Sequence, residues 1–102
     1  MDMKQMMKQA QQFQQRLTQL QGELAGRQVS ASVGGGMVSA TVNGRHELIS
    51  LTIAKEVVDP ADPEMLQDLV VSAVNEAMRK AQAMSEAEMA KLTGGVKIPG
   101  MY

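Results

Sequence analysis

The chain contains no cysteine and no tryptophan, and its only aromatic residues are Phe13 and Tyr102. Without thiols there is no disulfide framework, no thiolate metal site and no cysteine nucleophile. Two aromatics make no platform on which successive bases of a single strand stack. His46 is the sole histidine, which leaves nothing with transition-metal ligand spacing. No apolar run approaches the ~20 residues that cross a bilayer. The glutamine-rich N-terminus lacks the apolar core and cleavage site of a secretory signal. An excess of one charge is missing too: ten Lys and Arg stand against eleven Asp and Glu. No global basic field draws in a polyanion, so nucleic-acid binding has to come from local patches. These absences point to a cytoplasmic protein with no cofactor, no membrane partner and no small-molecule substrate.

What is present suits one globular domain: 102 residues, 44% of them hydrophobic and 21% charged. Met3, Met6, Ala10, Phe13, Leu17, Leu20 and Leu24 recur at spacings of three and four, the seam of a heptad pattern. They predict a first helix over residues 1–26, with Gly26 as a left-handed C-terminal stop. Around the seam lie Gln5, Gln9, Gln11, Gln12, Gln14, Gln15, Gln19 and Gln21, with Lys4, Lys8 and Arg16 as cations. Only Asp2 is acidic before Glu23.

From Arg27 the period changes to two. Val29, Ala31 and Val33, then Val38, Ala40 and Val42, then Ile49, Leu51 and Ile53 alternate with Ser and Thr. This predicts a three-stranded antiparallel meander over 27–55, with one apolar and one hydroxyl-bearing face. Gly34-Gly35-Gly36 breaks the first pair of strands, and parity of faces requires an even-numbered loop that sets Ala31 opposite Val38. Asn43-Gly44 reads as a two-residue type I′ turn, which sets Val38 opposite Ile49. Asp62 then caps a second helix over 62–92, with Pro63 in its first turn. Leu66, Leu69, Val70, Ala73, Val74, Ala77, Ala81 and Met84 form its apolar stripe. Residues 93–102 are expected as a flexible tail.

The predicted fold class is therefore α+β, as one domain over 1–102. Helices of roughly 35 and 44 Å at 1.5 Å per residue overhang a three-stranded sheet. The economical arrangement is a homodimer with projecting helix ends, against an elongated monomer with its two helices paired. Within a subunit the second helix offers a stripe long enough to cover much of the first helix's seam, with the distal Met3–Met7 end, where Lys4 and Lys8 sit, expected to overhang and to carry the function.

No catalytic constellation emerges. His46 sits at an exposed strand start with no nucleophile elbow in the chain. Asp59, Asp62, Glu64 and Asp68 cluster at a helix start, where capping and the helix dipole account for them. The glycine triplet leads into a strand and not into a helix N-terminus, so it is a turn and not a phosphate loop. The ten methionines sit mostly on helices, where they pack adaptably. Lys4, Lys8 and Arg16, flanked by glutamine amides, suit phosphate and base-edge contacts, with a solvated helix face as the plain alternative. Arg79 and Lys80 make a second patch, diluted by Glu76 and Glu86. With so few aromatics, duplex backbone contact is favoured over single-strand stacking.

The ordered set Met3-Lys4-Gln5-Met6-Met7-Lys8-Gln9-Ala10-Gln11, Gly34-Gly35-Gly36-Met37-Val38, Val42-Asn43-Gly44, Met65-Leu66-Gln67-Asp68-Leu69-Val70, Ala73-Val74-Asn75-Glu76-Ala77 and Leu92-Thr93-Gly94-Gly95-Val96-Lys97-Ile98-Pro99-Gly100-Met101-Tyr102 resembles the YbaB/EbfC family of bacterial nucleoid-associated proteins. The resemblance covers nearly the whole chain. It implies a helix–three strands–helix subunit that dimerises through its centre with helices projecting like tweezers. It also implies a cytoplasmic, nucleoid-located protein that binds double-stranded DNA and affects gene expression, without enzymatic activity. DNA contacts transferred from the family fall on Lys4, Lys8, Arg16, Arg79 and Lys80. A dimeric protein-interaction adaptor that does not touch DNA is the rival expectation.

Overall fold

Two long helices bracket a small sheet in the computed structural model, which describes residues 2–94. Helix α1 spans Met3–Gly26, β1 Gln28–Val33, β2 Val38–Asn43, β3 Leu48–Ile53 and α2 Pro63–Leu92, with one 3-10 turn at Lys55–Val57. The tail expected over 93–102 lies outside the described residues apart from Thr93 and Gly94.

Each helix is capped by its own sequence. The Asp2 carboxylate accepts from Gln5 N at 2.8 Å, and the Asp62 carboxylate accepts from Met65 N at 3.3 Å with Pro63 in the first turn. The end of α1 differs from expectation. Gly26 is its last helical residue and is not left-handed. The helix stops because Arg27 turns extended, and the Arg27 N–H reaches back to Leu24 O.

The sheet is the expected antiparallel meander, in the order β1-β2-β3. Val33 pairs with Val38 across a four-residue loop, which sets Ala31 opposite Ala40. The loop is even-numbered and keeps the predicted faces, but the register lies two residues away from Ala31 opposite Val38. The second hairpin departs further. Val38 pairs with Ile53 and not Ile49, Ala40 with Leu51, and a bulge after Thr41 sets Val42 opposite Leu48. The turn is not type I′ at Asn43-Gly44. His46 N donates to Asn43 O at 3.0 Å, and the left-handed residue is His46, at φ 64. This is a three-residue loop whose last residue is left-handed. Asn43 organises it: its side-chain oxygen accepts from Arg45 N at 2.9 Å and Glu47 N at 3.0 Å, and its amide donates to Glu47.

Gly44 explains the change. Its N–H donates to Leu24 O at 2.9 Å and to Arg27 O at 3.0 Å, so the end of α1 claims it. A Cβ there would stand 2.6 Å from Leu24 O. The glycine is required by close approach, not by a positive φ.

Helix α2 lies across β1 and β2. Ala73, Ala77 and Ala81, fully buried at i, i+4 and i+8, form a low ridge against Val38, Ala40 and Val42. Leu66, Leu69, Val70, Val74 and Met78 pack around it, and Val57 closes the core. Of β3, Ile53 packs against this core and the rest of the strand lies outside the cover. Leu48, Ile49 and Leu51 stay 47, 49 and 38% exposed. The subunit is elongated, 69 × 21 × 17 Å with a radius of gyration of 19.0 Å, where a compact chain of this length has about 13 Å.

Two glycine substitutions separate packing from propensity. Gly44→Ala is expected to destabilise by about 1–3 kcal/mol through overpacking on Leu24. Gly22→Ala, where nothing lies within 4 Å, is expected to stabilise by up to ~1 kcal/mol. Urea unfolding midpoints of the two variants measure both effects.

Candidate nucleic-acid interface

The base of α1 is anchored and the rest is free. Leu20 and Leu24 are buried, Phe13 and Leu17 are half-buried, and every residue from Asp2 to Gln12 is exposed. The expected overhang of Met3–Met7 is present and extends to Gln12, so less of the apolar seam is covered within the chain than expected. Helix α2 ends at Leu92, which lines a recess with Arg16, Gln19, Leu20 and Glu23. The exposed helical residues Met3 to Gln12 make a projecting arm of roughly 15 Å at 1.5 Å per residue.

Charge divides sharply along this arm. Lys4 and Lys8 project from the exposed part, and Asp2, the one nearby acid, has its carboxylate engaged in capping. Arg16 lies at the recess, where Glu23, Glu88 and Lys91 are interleaved. Among the described residues, Lys4, Lys8 and Arg16 take part in no salt bridge.

Arg79 and Lys80 lie elsewhere, on the stretch of α2 that crosses the sheet. The Arg79 guanidinium is paired with Glu76 one turn back. The Lys80 ammonium donates to Ser30 O at 2.8 Å on the outer edge of β1. The structure thus gathers Lys4 and Lys8 on the arm, places Arg16 at its root, and sets Arg79 and Lys80 apart from all three. The hydrogen bond and charge of Arg79, with a smaller contribution from Lys80, hold the Glu76 carboxyl below its ordinary value of 4.5.

Two cations escaped the sequence reasoning. Arg27 ends α1 and donates to Glu88 of α2 at 2.8 Å, and Lys91 reaches the same carboxylate at 3.2 Å. Their hydrogen bonds, Arg27 first, hold Glu88 below 4.5. The pair ties the root of the arm to α2, and no local pattern links residues 61 positions apart. Arg45, from the β2–β3 turn, lines a second recess of about 550 Å³ with Thr18, Gln21, Gly22, Ser85 and Met89. Ser85 fixes that turn by donating to Gly44 O at 2.9 Å. Among the described residues no group of three His, Asp or Glu is placed to hold a metal ion, and no helix is long and apolar enough to cross a membrane.

The architecture is that of an α+β chain with one helix standing clear of a small sheet and bearing cations that form no salt bridge among the described residues. Comparison with known proteins places it. The YbaB/EbfC DNA-binding family matches residues 1–96, and the chain belongs to that family. It is 50% identical over 101 residues to a nucleoid-associated protein of Pelotomaculum thermopropionicum, covering 99% of this chain and 96% of that one. It is 51% identical over 100 residues to one of Clostridium acetobutylicum, covering 98% and 89%. The fold matches the crystal structure of an uncharacterized Helicobacter pylori protein with a TM-score of 0.82 at 25% identity, over 91% of this chain and 98% of that one.

Glu88 sets the pH response of the arm's root. Its carboxyl is depressed in the folded state, so its contribution to stability is full above 4.5 and is lost as pH falls through the lower folded value. The Glu88→Gln variant is expected to have a lower denaturant midpoint than the parent near neutral pH. The two midpoints are expected to converge well below pH 4.5, as followed by circular dichroism.

Proposed function

We propose that the protein is a homodimer that binds duplex DNA in the bacterial nucleoid, within the cytoplasm, and affects gene expression there. Binding is by backbone phosphate contact from the projecting helices. The observation that carries this reading is the arm itself: Lys4 and Lys8 stand on an exposed helix with no described acidic partner. A charge so placed exchanges its counterions for phosphates, and this gives sequence-tolerant, salt-sensitive affinity. Arg16 extends the track towards the root. Arg79 and Lys80 contribute less, because each must first release Glu76 or Ser30 O.

The dimer rests on β3. The strand Leu-Ile-Ser-Leu-Thr-Ile carries no charge and no proline, and it is an edge of the sheet. Leu51 and Leu48 stand opposite buried Ala40 and Val42, so they share the core's face yet lie beyond the cover of α2. An unguarded apolar edge of this kind is a template for pairing. The other edge is blunted, since Lys80 occupies Ser30 O. Two copies joined through β3 bury Leu48, Ile49 and Leu51 and give the assembly two arms.

One observation favours the adaptor reading. Met3, Met6 and Met7 are 77, 57 and 60% exposed at the arm's end, and adaptable thioether surfaces suit protein partners. The arm's cations separate the two readings. Lys4→Ala with Lys8→Ala is expected to weaken duplex binding across sequences and to lower the salt slope by about one unit per lysine. Gel shifts at several salt concentrations measure this, and an unchanged slope favours the adaptor. Leu51→Glu is expected to reduce the light-scattering mass from about twice 11.0 kDa to 11.0 kDa, and a parent already at 11.0 kDa removes the dimer.

A further inference from the structure

The seam of α1 runs out of cover before it runs out of helix. Leu24 and Leu20 are buried, Leu17 and Phe13 are half-buried, and Ala10, Met6 and Met3 are exposed. These positions lie along one helical line, so the uncovered stretch continues the buried one in the same direction. The cover from α2 stops at Leu92, which lines the recess beside Leu20 and Arg16. In heptad terms Met3, Ala10, Leu17 and Leu24 are a positions, and Met6, Phe13 and Leu20 are d positions. The flanking g positions then hold Asp2, Gln9, Arg16 and Glu23, and the e positions hold Met7, Gln14 and Gln21.

We propose that the uncovered stretch of α1 pairs antiparallel with the same stretch of a second copy. Met3 then layers on the partner's Phe13 and Met6 on the partner's Ala10, and each layer occurs twice by symmetry. A thioether lies against a ring in one layer and fills the space over a small alanine in the other. The layers use the seam from Met3 to Phe13, the part that α2 leaves exposed or half-buried.

Charge fixes both register and direction. In an antiparallel pair g positions face g positions, so Asp2 meets the partner's Arg16 at each end, with Gln9 against the partner's Gln9 between them. Neither Asp2 nor Arg16 forms a salt bridge among the described residues. The Asp2 cap uses one carboxylate oxygen, Oδ1, which leaves the other for a guanidinium. Other registers fail. Sliding by one heptad sets Asp2 against the partner's Glu23, and by two sets Arg16 against the partner's Arg16, both like-charge contacts. A third slide pairs Arg16 with the partner's Glu23 but draws on Leu20 and Leu24, which are already buried. A parallel pair sets g against e, so Asp2 meets Met7 and Arg16 meets Gln21, with no opposite charges.

Lys4 and Lys8 lie off the seam and stay open to phosphate. The overlap is only about two heptads, so it holds where arms are concentrated, as between neighbouring dimers on one duplex. The contact itself requires neither DNA nor the β3 dimer.

The chain has no cysteine, so a mixture of Met6→Cys and Ala10→Cys chains reports the pairing directly. Both carry Leu51→Glu and are equilibrated without DNA, at high protein concentration, in a glutathione redox buffer. Mass spectrometry is expected to find the mixed disulfide in about tenfold excess over either like disulfide. Chance gives about twofold, and that ratio overturns the proposal, whether the seam is bare or covered by another segment. An excess of the Met6→Cys homodisulfide overturns it in favour of a parallel pair. Adding Arg16→Glu to both chains is expected to cut the excess about threefold, and an unchanged excess overturns the proposal. Because the assay holds neither DNA nor the β3 contact, its failure leaves duplex binding and the β3 dimer standing.

Discussion

The close seating of α2 on the sheet decides the rest of the subunit. Alanine at 73, 77 and 81 lets the helix backbone settle onto Val38, Ala40 and Val42, all fully buried. A ridge this low covers mainly β1 and β2, so most of β3 lies beyond it, with Ile53 alone of that strand packed against the core among the described residues. Among the described residues, half of the ten buried hydrophobic ones are alanines. Alanine removes little apolar surface from water, while a buried valine or leucine contributes ~1.5–3 kcal/mol. The larger side chains that usually fill a core, Leu48, Ile49 and Leu51, are left on the surface. A 102-residue chain with so lean a core gains much from burying that strip against a partner.

The same seating fixes the arm. Because α2 runs past the sheet at the β2–β3 turn, its last turns offer the root of α1 a surface. Leu20 and Leu24 take it, and the Arg27–Glu88–Lys91 cluster ties it from outside. The arm then projects because α2 ends at Leu92. Its direction comes from packing at the root, while its helicity beyond the root rests on Gln, Met, Lys and Ala and on the Asp2 cap.

These two facts divide what the sequence disclosed from what it hid. Helix limits were legible because their signals are local: Asp62-Pro63 starts α2, and the period of two starts at Arg27. The faces of the strands were legible for the same reason. Register was not, because a bulge after Thr41 and the capture of Gly44 by Leu24 O and Arg27 O are tertiary events. Asn43-Gly44 has the composition of a type I′ turn, yet two carbonyls at the end of α1 outbid it. Of the candidate site, the exposure of Lys4 and Lys8 followed from the heptad frame. The engagement of Arg79 by Glu76 is also local, at i and i+3. The bond from Lys80 to Ser30 O spans 50 positions and leaves no local trace.

A net charge of -1 is compatible with phosphate binding because the charges are segregated. Acids concentrate from Glu47 onward, and two of them, Glu76 and Glu88, are engaged by Arg79 and by Arg27 and Lys91. The arm keeps Lys4 and Lys8 apart from them. In the proposed complex one arm neutralises about three phosphates, a salt slope near -2.7 at about 0.9 per phosphate. That is a weak hold at physiological salt. Two arms on one dimer double the slope, and the second arm binds at the effective concentration set by the first. In that proposal the apolar strip on β3 and the cations on α1 work together: without the strip the arms act singly, and without the arms only the already engaged Arg79 and Lys80 face a duplex.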